Sequence, residues 1–63
     1  MSTQEETVKR LADTKTIDEL VTIRESLKAS LLIAPPGEYY GRLFEGVLRV
    51  NLSIDLIKKR EKP

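Results

Sequence analysis

Sixty-three residues make one small domain at most, and a chain of this size buries only about 60% of the surface its unfolded form exposes, so it needs a staple or a partner. There is no cysteine and no histidine, which excludes a disulfide framework and argues against a zinc site, a thiolate nucleophile or a histidine base. Eleven Lys and Arg stand against ten Asp and Glu, with the signs interleaved and 40% of residues hydrophobic; this is the composition of a folded helical protein, with no global electrostatic case for nucleic acid.

The opening, MSTQEETVKR, has no basic run ahead of an apolar stretch, so no export signal is read there and a cytoplasmic location is expected. Ser2 or Thr3 can cap a first helix, because each is followed three residues later by a glutamate, Glu5 or Glu6, able to bond back to the cap amide. This helix is expected over about residues 4–13, with Val8, Leu11 and Ala12 as a narrow apolar stripe. At that length it is not stable alone in water and must pack or fray.

Thr16-Ile17-Asp18-Glu19 repeats the capping pattern and opens a second helix over about residues 17–33. Ile17, Leu20, Ile23, Leu27 and Leu31 recur at three- and four-residue spacing and share one face, while Val21 and Leu32 begin another. The helix ends at Ile33, since Ala34 and Pro35 each precede a proline and are pushed out of the helical region. Pro36-Gly37 suits the centre of a type II turn, or else Pro36 is the first residue of a third helix; both put Glu38 in the opening turn of that helix. The proline pair lacks PxxP spacing, so LLIAPPGEYYG reads as a reversal of the chain, with Tyr39 on its far side within reach of a partner.

The third helix is expected over about residues 38–60, ending in Lys58, Lys59 and Arg60 where a helix dipole favours cations. Gly41 and Gly46 lie inside it at a cost of up to about 1 kcal/mol each relative to alanine, which close approach by another backbone would offset. Residues 46–54 partly alternate as a strand would, but a lone strand has nothing to pair with. The fold class is therefore all-α: one domain over residues 1–63, a helical hairpin preceded by a short helix, assembling as a dimeric helical bundle.

Dimerisation is expected from a surplus of apolar surface. Tyr40, Leu43, Val47, Val50, Ile54 and Ile57 gather on the side of the third helix that faces the second. A tight hairpin pairs positions whose numbers sum to about 71, bringing Leu31 near Tyr40, Leu27 near Phe44 and Ile17 near Ile54. Leu48, Leu52 and Leu56 come at four-residue spacing on a second stripe, with Phe44 between the two, and one neighbouring helix cannot cover both. The first helix is scant cover for them, so Tyr39, Tyr40, Phe44, Leu48, Leu52 and Leu56 are expected to form an interface. Arg24 and Asn51 interrupt the apolar faces, either as a register device or, for Arg24, as a stem laid over the core with its charge left wet.

No pattern for catalysis, phosphate binding or calcium binding is present, and the longest nearly apolar stretch, residues 29–36, is far below the roughly 20 needed to span a bilayer. The expected function is a non-enzymatic protein–protein interaction module, an adaptor, chaperone or inhibitor, that pairs with itself and with another protein and uses no metal or cofactor. An alternative from another class is a small dimeric nucleic-acid binder placing Lys58, Lys59, Arg60 and Lys62 on phosphates, although no aromatic side chain accompanies them to stack bases. A structural subunit of a larger assembly is the third reading.

Overall fold

The computed structural model describes residues 3–61, and all three elements are helices: α1 Thr3–Thr14, α2 Ile17–Ile33 and α3 Glu38–Glu61. The expected bounds are met at both ends of α2 and at the start of α3, and are one residue short elsewhere. Residues 46–54, with their partial alternation, are helical throughout. Thr3 is the first residue of α1 and so does not cap it, and Ser2, the other candidate cap, lies outside the described residues.

The start of α2 is fixed by its capping box. The Glu19 amide donates to Thr16 Oγ1 at 3.1 Å, and the Thr16 amide donates back to the Glu19 carboxylate at 3.0 Å. Hydrogen bonding to the carboxylate from the Thr16 amide first, and then from the Thr16 side chain, holds the Glu19 carboxyl below its ordinary 4.5. A carboxyl depressed in the folded state stabilises the fold above its unfolded pKa, and the contribution disappears as pH falls through the folded value. Thr16→Ala should lower the free energy of unfolding by about 1 kcal/mol. In urea titrations below pH 4.5, the wild type should lose stability more steeply than Glu19→Gln.

Between α2 and α3 the chain bends without forming the type II turn expected for Pro36-Gly37. Ala34 is extended (φ −76°, ψ 135°), as a residue before proline must be. Gly37 takes φ +146°, a conformation that favours glycine, and its carbonyl accepts from the Gly41 amide at 3.1 Å. Gly37 thus opens α3 as its cap, and Pro36 stays outside the helix. Glu38 stands in the first turn, where its charge complements the dipole.

Helix α3 lies in the middle and both other helices pack on it, whereas α1 and α2 touch each other little. The fully buried hydrophobic core is correspondingly thin: Leu20, Val50 and Ile54, with Leu11, Ile17, Val21, Ile23, Leu27 and Ile57 half-buried around them. The expected face of α3 toward α2 is present from Leu43 to Ile57, but Tyr40 at its start is 41% exposed. The hairpin register also differs from the expected sum of 71. Leu27 meets Gly46 and Arg24 meets Asn51, so paired numbers sum to 73 and 75. The four-residue bend shifts the partners along α3, and Tyr40 is left beyond the end of the apolar contact.

Gly46 explains how close the two helices come: a Cβ there would stand 3.2 Å from Leu27 Cδ1. Helix α1 runs parallel to α3 along its C-terminal half. Ser53, fully buried, places its hydroxyl 2.8 Å from the Arg49 carbonyl and 3.1 Å from the Val8 carbonyl, and Asp13 accepts from Arg60 at 2.6 Å. The first helix therefore docks, secured at both its middle and its end.

The outcome is a flat molecule of 42 × 27 × 16 Å with a radius of gyration of 12.4 Å, against about 11 Å for a compact chain of this length. Its surface is 4853 Å², where a compact monomer of this mass exposes about 4100 Å². A single layer of helices covers α3 on two sides only.

Candidate association face

At about 100° per residue, the side of α3 turned away from α1 and α2 carries Gly41, Phe44, Leu48, Leu52 and Asp55. Phe44 is 49% exposed, Leu48 44% and Leu52 45%. The three are set at four-residue spacing, one turn apart, so they form a continuous apolar ridge along the middle of the helix. Leu56, one turn further on, is half-buried, because α1 reaches it. Gln4, Val8 and Lys9 of α1 with Leu52, Asp55 and Leu56 of α3 line a shallow open groove there. The docked first helix accordingly shields the C-terminal end of the leucine stripe and leaves its centre bare.

Tyr39 is 60% exposed at the start of α3. Leu32 and Ile33, the two most exposed large hydrophobic side chains among the described residues, stand at the other side of the same bend. Helical periodicity does not single out Ile33. Its signal is positional: the last helical residue before a proline-enforced bend has no opposing turn of helix to pack on.

Arg24 and Asn51 meet across the α2–α3 contact, with the Arg24 guanidinium donating to Asn51 Oδ1 at 3.0 Å, partly buried. Arg24 Nε lies 3.7 Å from the Glu25 carboxylate, beyond hydrogen-bonding reach. The pair ties one polar position on α2 to one on α3.

The basic cluster is divided. Arg60 is engaged by Asp13, Lys58 and Lys59 are exposed at the rim of the α1–α3 groove, and Lys62 lies outside the described residues. Elsewhere on α3, Glu38–Arg42 at 3.8 Å and Glu45–Arg49 at 3.4 Å are exposed pairs at i,i+4, each contributing about 0.3–0.5 kcal/mol. Arg49 Nε is buried and has no hydrogen-bond acceptor among the described residues.

The two glycines within α3 differ in their surroundings. Gly46 is accounted for by Leu27, but a Cβ at Gly41 would have nothing within 4 Å. Gly41 sits on the bare face, about 20° from the line of Leu48. No contact among the described residues requires a glycine at this helical position. Among the described residues, no helix is long and apolar enough to cross a membrane. No protein-family model, curated protein or solved structure matches this chain.

Proposed function

We propose that this protein is a non-enzymatic protein–protein interaction module that associates through the bare face of α3, pairs with a second copy of itself, and acts by occupying a surface of another protein. The observation that carries this reading is the half-exposed ridge Phe44, Leu48 and Leu52 on the central helix of a single layer. A domain normally buries such a stripe between layers, and here the described residues supply no second layer over it. Covering the exposed half of three such side chains on each of two copies contributes on the order of 5–9 kcal/mol. Association costs about 4–15 kcal/mol in lost freedom, so the polar flanks of the ridge decide the affinity. Leu32, Ile33 and Tyr39, exposed on either side of the bend between α2 and α3, lie outside that ridge and are the side chains offered to another protein.

Leu52→Asp tests the proposal, because Leu52 belongs to the ridge and not to the buried core. Size-exclusion chromatography with light scattering should show the wild type as a dimer and the variant as a monomer, with equal helix content by circular dichroism. A variant that assembles as the wild type does would remove this face from the reading.

A further inference from the structure

Resting on that reading, we infer that the occupant of the α3 face is a second copy laid antiparallel, with a two-fold axis passing beside Leu48. The first ground is the symmetry of the ridge. Phe44 and Leu52 stand four residues before and after Leu48, and Gly41 and Asp55 stand seven before and after it. An antiparallel copy centred there sets Leu48 against Leu48 and Phe44 in the same layer as Leu52 of the second copy. It also sets Asp55 opposite Gly41. Asp55 is exposed and lies about 20° from the centre line of the face, where a bulky apolar neighbour would strand its carboxylate. A glycine with open space around it lets that carboxylate stay hydrated, which supplies a reason for Gly41 that the single chain lacks.

The flanks give the second ground. A two-fold axis perpendicular to the helices keeps each flank of α3 against the same flank of its copy. Glu45 and Arg49 share one flank and are already 3.4 Å apart within the chain. The copy brings its own Glu45 and Arg49 to the same place in the opposite order, making a ring of two carboxylates and two guanidiniums around the axis. A parallel copy would instead bring this flank against Asn51 and the side of Lys58, and would gather the basic ends of both α3 helices together.

The position of α1 gives the third. It lies beside α3 only from about Arg49 to Arg60, through Val8–Ser53 and Asp13–Arg60, and leaves the same flank open beside the N-terminal half. In the antiparallel arrangement each copy's α1 comes to lie over the open half of the other copy's α3. The acidic start of α3, Glu38, then approaches the basic end, Lys58 to Arg60, of its copy. A standard interface needs about 800 Å² from each partner, roughly a sixth of the 4853 Å² that this chain exposes.

Because the chain has no cysteine, single-cysteine variants of the full-length protein report the geometry directly. Leu48→Cys, Phe44→Cys and Leu52→Cys would be treated with a short bismaleimide at a concentration where the wild type is dimeric. Leu48→Cys should cross-link to itself. An equilibrated mixture of Phe44→Cys and Leu52→Cys should give the mixed product at least fivefold in excess of either self-product. If Phe44→Cys and Leu52→Cys each cross-link mainly to themselves, the arrangement is parallel; this inference then fails while self-association stands. A wild type that scatters as a monomer, with no position cross-linking, overturns both.

Discussion

Replacing Leu20 by alanine is expected to unfold most of the chain at room temperature. Leu20 is fully buried and belongs to a core of three such hydrophobic side chains, with Val50 and Ile54 facing it from α3. Truncating a buried leucine costs about 2–5 kcal/mol through lost transfer energy and the cavity left behind. A domain of this length has only about 3–9 kcal/mol in total at the usual 0.05–0.15 per residue, and the flat packing places this one toward the lower end. Leu52→Ala serves as the control, since Leu52 is half-exposed and outside that core. Urea titration followed by circular dichroism, at a dilution that disfavours association, should show the Leu20 variant largely unfolded without denaturant and the Leu52 variant close to wild type. Equal stabilities would mean that the core does not lie where Leu20, Val50 and Ile54 place it.

The second large effect is on the dependence of stability on concentration. If the ridge of α3 is buried between two copies, the folded dimer is favoured by mass action, and each tenfold rise in protein concentration adds about 1.4 kcal/mol per dimer. With an unfolding entropy of about 2.1 cal/mol/K per residue, that raises Tm by about 5 °C per decade. Leu52→Asp should abolish the trend, because a carboxylate on the ridge, in the layer of Phe44 of the second copy, cannot be buried without a cation. Its Tm should stay constant over two decades of concentration and equal that of the wild type at high dilution. A wild-type Tm that does not move with concentration would show that association contributes nothing to folding.

Much of the architecture is legible in the sequence because local chemistry decides it. Thr16 and Glu19 write the start of α2 in four residues, and Ala34-Pro35-Pro36 writes its end. The apolar periodicity of residues 17–31 and 43–57 then requires the two helices to meet. The register is less legible. It depends on how closely the backbones approach, and that is set by Gly46 against Leu27, a contact between residues distant in sequence. The turn type escapes a linear reading for a related reason: proline followed by glycine suits several bends, and the cap required by α3 selects among them. Helix α1 illustrates the limit most clearly. Its apolar stripe is too weak to reveal a docking site, and the groups that hold it, the buried hydroxyl of Ser53 and the Asp13–Arg60 ion pair, carry no signature in a linear pattern.

Of the candidate interface residues, Phe44, Leu48 and Leu52 lie together on one uncovered side, Leu56 is partly taken up by α1, and Tyr39 and Tyr40 are exposed near the hairpin tip, off that ridge. The spacing of the leucines is sufficient to identify the ridge, since four-residue steps on a helix stay on one face. The same arithmetic places Gly41 on this face, but its lack of any contact within the chain emerges only in three dimensions.

The most direct measurement of the central claim is the molar mass of the wild-type protein in solution, by sedimentation equilibrium or light scattering across a range of concentrations. Association through the α3 face predicts a reversible monomer–dimer equilibrium, with the 7.2 kDa chain giving way to twice that mass as concentration rises and with Leu52→Asp remaining at one chain throughout. A single species of one chain's mass at every concentration, for wild type and variant alike, would contradict it.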